Sequence, residues 1–269
     1  MFWLLFTCVQ GETAGIAQPS LLEVRGERVA LKEAQLFIPE GFQAGEEGID
    51  VTLHLHGSAG VAERNCVQAG LPGVLVTVAL SGLSGVYTEK FRDPRVFWRI
   101  LDEVRSALKA CSIDRPVRSV IVVSFSAGFG GVREMLGDPT IYARINALVM
   151  LDSIYAGFTG DPTQRQVDPA NMRGFLRFAR DALRGRKAMV ITHCDLQPDT
   201  YASTRETADY LLEKLGVRRE SASEQWAEGL VLQSRIEQGK LRVYGFAGDT
   251  GADHMKHLNH SHLFLRLIR

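Results

Sequence analysis

Neither sign of charge is in excess: the 269-residue chain has 31 Lys and Arg against 31 Asp and Glu. A nucleic-acid backbone calls for a basic surface, so this balance argues against that partner. A basic cluster such as Arg184–Lys187 (RGRK) is short enough to be a solvated helix end. Cysteine is scarce. Cys8, Cys66, Cys111 and Cys194 form no C-x-x-C pair, which excludes zinc-finger spacing and leaves the compartment open. Free buried thiols are the expectation for most of them. Internal repeats and low-complexity linkers are missing, so nothing divides the chain into domains.

Long apolar runs are missing too, apart from MFWLLFTCV at the start. That run is too short to span a bilayer as a helix. With Gly15-Ile16-Ala17 as a small-x-small cleavage site, residues 1–17 read as a truncated signal peptide lacking its basic region, or as a disordered terminus. Residues 18–269 then form a single domain. The protein is secreted or periplasmic if the leader is real, and cytoplasmic otherwise. No integral membrane association is expected, and the oligomeric state has no signal.

What the sequence does have is alternation of β-rich and helical segments. Ala34–Ile38, Val51–Leu55, Val74–Ala79, Ser119–Val123, Ala147–Leu151, Ala188–Thr192 and Leu241–Phe246 are strand candidates, with Leu230–Arg235 as an edge strand. Several are continuously apolar, as in strands buried on both faces of a parallel sheet. Phe97–Ala110, Met172–Leu183, Ser203–Leu215 and Met255–Ile268 have helical spacing. Ser203 with Glu206 matches a capping box, and Gly216 a C-cap. The pattern predicts an α/β fold: a mostly parallel central sheet with helices on both faces.

Chemistry-bearing residues fall at the strand ends. Ser124-Phe125-Ser126-Ala127-Gly128 follows a β-branched run and precedes a helix. A tight strand-to-helix turn would hold Ser126 Oγ above the sheet, and its neighbours must be small. Ser124 needs only to be small, and Gly130 and Gly131 let the helix approach. His54-Leu55-His56-Gly57-Ser58 ends an earlier strand, and the N–H of Gly57 or Ser58, with that of Ala127, could bind an oxyanion. Asp195 follows the Ala188 strand and is the favoured acid. Asp152, at the tip of the preceding strand, is the alternative. His254, expected in the Gly248–Asp253 loop, is the favoured base. His257, expected in the first turn of the closing helix, is the alternative.

Together SFSAG, HLHGSAG, HCDLQP and ADHMKH, in the order Ser, Asp, His, resemble the α/β-hydrolase superfamily, in particular its serine esterases and lipases. The resemblance runs from about Ala34 to the C-terminus. Ser124 departs from it by standing where glycine is usual. It implies an α/β-hydrolase fold and a carboxylic-ester hydrolase with a Ser-His-Asp triad. It further implies no metal or organic cofactor and a small-molecule or polymer-borne ester as substrate. The short Leu151–Ala188 interval implies no large lid domain. Tyr155, Phe158, Phe91 and Trp98 could line an acyl or alcohol pocket, or simply be core. Two rivals stand beside this reading. Of the seven histidines, His54, His56, His193, His254, His257, His260 and His262, six lie in two clusters, and His254 with His257 at i,i+3 and His54 with His56 on one strand face could bind zinc in a metal-dependent hydrolase. A non-catalytic binding protein of the same fold is the other.

Overall fold

A computed structural model describes residues 24–268. The leader expected over residues 1–17 lies outside the described residues. Strands β1 (Gly26–Ala30), β2 (Gln35–Pro39), β3 (Ile49–Leu55), β4 (Val74–Val78), β5 (Val117–Phe125), β6 (Ile145–Leu151), β7 (Ala188–His193), β8 (Glu220–Ala227), β9 (Leu230–Gln238) and β10 (Leu241–Phe246) form one sheet. Its order is β1-β2-β4-β3-β5-β6-β7-β10-β9-β8. The central block from β4 to β10 is parallel throughout. Antiparallel pairs close both edges.

Helices α1 (Ala59–Ala69), α2 (Ser84–Phe91), α3 (Arg95–Ala110), α4 (Phe129–Gly137), α5 (Pro139–Arg144), α6 (Pro169–Leu183), α7 (Thr204–Leu215), α8 (Gly251–Asn259) and α9 (Ser261–Leu265) cover the two faces. Successive strand side chains point to opposite faces. In β5, Val120 and Val122 therefore join the core under α2–α7, while Ile121 and Val123 join the core under α1, α8 and α9. Both faces are apolar because both are covered. Among the described residues no helix is long and apolar enough to cross a membrane, and no large lid interrupts the segment between β6 and β7.

Two strands, β1 and β8, had no sequence signal. β8 (ESASEQWA) is polar and mostly exposed. It forms because it pairs with β9 and because Trp226 packs its ring near Tyr244 and Phe246, with centroids 4.9 and 5.5 Å away. The closing helix is also not continuous, since it breaks at His260 into α8 and α9.

Two glycines let the chain after β5 pack closely. Gly128 has ordinary helical angles (φ −62°, ψ −19°), so its bareness serves close approach and not backbone freedom. A Cβ there would lie 2.6 Å from the Leu55 carbonyl of β3 and 2.7 Å from Ser124 Oγ. A Cβ on Gly130 would lie 2.4 Å from the Ser84 carbonyl, so this glycine seats α4 against α2 and not against the sheet. Gly128→Ala is expected to cost about 1–3 kcal/mol through overpacking against a backbone that cannot give way. The check is the Tm, which should drop by several degrees. An unchanged Tm would mean that β3 and α4 can separate freely.

Candidate active site

Backbone strain collects at one end of the sheet. Among the described residues, five non-glycine positions have positive φ, and three of them are His56 (69°), Ser126 (46°) and Asp152 (44°). Each is the first residue past its strand, and those strands, β3, β5 and β6, are neighbours. Left-handed backbone at ordinary residues costs on the order of 1–3 kcal/mol and clusters at functional sites.

Ser126 starts a single 3-10 turn, Ser126–Gly128, that leads into α4. The positive ends of the peptide dipoles therefore lie at this serine. Ser124 is more than small: its buried Oγ sits 2.7 Å from Ser153 Oγ, which donates in turn to the Ser126 carbonyl at 2.8 Å. This pair of hydroxyls ties the strained turn to the loop after β6.

Asp152 is 1% exposed and saturated with donors. His254 Nδ1 lies 2.6 Å from Oδ2, where the Cys194 thiol also donates at 3.0 Å. Oδ1 accepts from the Cys194 N–H and from Thr204 Oγ1, at the start of α7. Burial opposes the charge on Asp152. The His254 hydrogen bond, the adjacent His257 and His254 rings and the Cys194 thiol outweigh it and hold the carboxyl below the usual carboxylate range. Binding at Nδ1 leaves His254 Nε2 facing away from the carboxylate. The Phe125 ring stacks on His254 at 4.5 Å, so the second residue of SFSAG orients the imidazole.

The histidine of the sequence motif is therefore met by Asp152 and not by Asp195. Asp195 is an ion-pair partner of Arg205 at 2.7 Å, and its N–H donates to the Gly248 carbonyl. It ties the loop after β7 to α7 and to the loop after β10. His254 comes from the first turn of α8 and not from a free loop. The reason is a second capping box: Thr250 Oγ1 accepts from the Asp253 N–H, and the Asp253 carboxylate accepts from the Thr250 N–H. His257 is displaced to the next turn. It is fully buried, with Nδ1 2.7 Å from Thr192 Oγ1 and Nε2 without a partner among the described residues. No pattern marked Cys194 or Thr204 as donors, because each reaches Asp152 only through the fold.

The Gly57 and Ser58 N–H groups donate to no protein acceptor among the described residues. Gly57 packs on Phe125 and Leu258, where a Cβ would lie 2.9 Å from Leu258 Cδ2. Ser126 and Ala127 open onto a cavity of about 290 Å³ with Phe129, Arg133 and Tyr155 in its wall. Of the four aromatic pocket candidates Tyr155 lines it. Phe91 is core, Trp98 lies on the exposed side of α3, and Phe158 stacks under Arg165.

No sequence profile of a known protein family matches the chain. No curated protein matches it either. Among solved structures, an alpha/beta hydrolase enzyme from the metagenome of Lake Arreo, Spain, is similar over 93% of this chain and 84% of its own, at 10% identity and a TM-score of 0.50. The chain has the α/β-hydrolase fold. An arylesterase is similar over 92% of this chain and 86% of its own, at 10% identity and a TM-score of 0.46.

In this α/β-hydrolase fold several histidines have partners of their own. His54 Nε2 meets the His56 carbonyl, His56 Nδ1 meets Tyr87 Oη, and His262 Nδ1 meets Asn65 Oδ1. A close group of metal-ligand types among the described residues is Asp152, Cys194 and His257. There the cysteine is a thiol that burial, followed by the Asp152 charge, pushes well up, so it serves as a donor to the carboxylate.

Burial pushes His54 and His257 down to about 4, and His193 to about 3. The unfolded chain titrates near 6.5. Below that value the unfolded state takes up protons that the native core refuses, so stability present above about pH 6.5 is lost as pH falls toward 4. The Tm should therefore fall between neutral pH and about pH 5. His257→Gln removes one of these groups and should flatten that fall. Identical slopes for the two proteins would contradict a buried neutral His257.

Proposed function

We propose that this protein is a serine hydrolase of carboxylic esters, with Ser126, His254 and Asp152 as its triad. The observation that supports it most is the 2.6 Å contact between His254 Nδ1 and the buried Asp152, at the sheet end where Ser126 stands on a left-handed turn. Each residue has a role that its surroundings suit. Asp152 holds the imidazole in the Nδ1–H tautomer, which leaves Nε2 as the base. His254 takes the proton as Ser126 Oγ attacks the ester carbonyl, and later gives it to the leaving alcohol.

The oxyanion of the tetrahedral intermediate is stabilised by the Ala127 N–H, just after the nucleophile, and by that of Gly57 or Ser58. The N-terminal end of the helix adds its positive pole. Water then hydrolyses the acyl-enzyme by the same proton relay. The mechanism calls for no metal or organic cofactor. The Lake Arreo enzyme is described as an alpha/beta hydrolase, which agrees with this reading. A cavity of about 290 Å³ suits a small ester or one arm of a larger one.

The test is turnover of a chromogenic ester by three variants, with circular dichroism as a folding control. Ser126→Ala should be inactive. Asp152→Asn should lose about 10⁴-fold in kcat, because the imidazole loses its tautomer. Asp195→Asn should stay within severalfold of the parent, since its partner is Arg205. A large loss in Asp195→Asn beside a mild one in Asp152→Asn would move the acid to the loop after β7. Loss of activity with a chelator, restored by zinc, would replace the mechanism with a metal-dependent one.

A further inference from the structure

The cavity beside Ser126 is walled by Leu83, Phe129, Tyr155 and Tyr201 on its apolar side. The Tyr155 ring lies 5.3 Å from Phe129 and 5.5 Å from Tyr201, so these side chains form a continuous aromatic wall. Among the residues that line it, one carries a formal charge: Arg133, on α4. Its guanidinium lies 5.6 Å over the ring of Phe129, one helical turn earlier. The side chain is partly buried. It makes no ion pair and no side-chain hydrogen bond among the described residues. Other arginines at this end of the sheet are neutralised: Arg165 pairs with Glu206 and Arg205 with Asp195.

We propose that Arg133 makes this cavity selective for esters that bear a carboxylate. The inference rests on the ester-hydrolase reading of the same site. Several physical points carry it. Arginine is weakly hydrated and stacks well on an aromatic face, so Phe129 can hold the guanidinium in place with its N–H fork free. Apolar walls lower the local dielectric, which strengthens the attraction for an incoming anion. No acidic residue lines the cavity to compete for the fork. The fork matches a carboxylate by two parallel hydrogen bonds. One arginine balances a single negative charge, which favours a carboxylate over a phosphate dianion.

The acyl or alcohol arm of the substrate would then cross the aromatic wall, with its carbonyl at Ser126 and its carboxylate at Arg133. Phe129 positions the arginine and Tyr155 and Tyr201 hold the arm.

The experiment compares two 4-nitrophenyl esters of equal chain length, the neutral hexanoate and the hydrogen adipate, whose acyl chain ends in a carboxylate. The ratio of their kcat/KM values is expected to favour the adipate in the parent protein and to fall about tenfold or more in Arg133→Met, as loss of a charge-assisted pair implies. Arg133→Lys should recover part of the ratio, and Arg133→Glu should push it below that of Arg133→Met. A second measurement needs no turnover: calorimetric binding of monomethyl adipate to Ser126→Ala, expected to weaken with salt and to vanish in Ser126→Ala/Arg133→Met. A ratio that does not move, or binding that survives removal of Arg133, would overturn the proposal while leaving the ester reading intact. Arginine-dependent binding with no turnover of either ester would support the carboxylate site and sink the ester reading instead.

Discussion

Asp152 holds a negative charge where water cannot reach it, and the site is built around that fact. A buried carboxylate is tolerated only when its oxygens are fully engaged. Here the donors come from the loop after β7, the start of α7 and the first turn of α8. Each donor group is placed by its own local rule: a strand end for Cys194, and a capped helix start for Thr204 and for His254. The carboxylate thus acts as a node that fixes the relative position of these segments. It also orients the imidazole that faces Ser126's end of the sheet.

The same end of the sheet stores strain at three neighbouring strand exits. The strain is held by packing on both sides. Leu55 and Gly128 close the gap between β3 and α4, and the Ser124–Ser153 hydroxyl pair links β5 to the turn after β6. Phe125 stacks with both His56 and His254, at centroid distances of 6.1 and 4.5 Å. A site on rigid elements of this kind is preorganised before any substrate arrives.

Much of this was legible in the sequence. The parallel strands were visible as β-branched runs, because burial on both faces leaves only apolar residues. The elbow was visible because a tight turn excludes large neighbours. The carboxylate that meets His254 was harder to read. Asp195 and Asp152 both follow strands, and local pattern favours the longer loop. What separates them in space is a left-handed residue at Asp152 and donors from distant segments, neither of which leaves a local mark. The start of α8 was misjudged for a different reason. Thr250 and Asp253 carry the same capping pattern that Ser203 and Glu206 carry, but the glycines around them suggested a loop. β8 was invisible because an edge strand can be polar on both faces when one tryptophan anchors it.

The proposed chemistry puts one hydroxyl, Ser126 Oγ, at the centre, where it opens onto the cavity beside the helix N-terminus. A fluorophosphonate reacts with a serine only when a neighbouring base and an oxyanion site activate it. The most direct measurement is therefore mass-spectrometric mapping of the adduct after stoichiometric labelling of the native protein. A single adduct on Ser126, absent after heat denaturation of the protein before labelling, is the expected result. No adduct, or an adduct on another residue with Ser126 unmodified, would contradict the account.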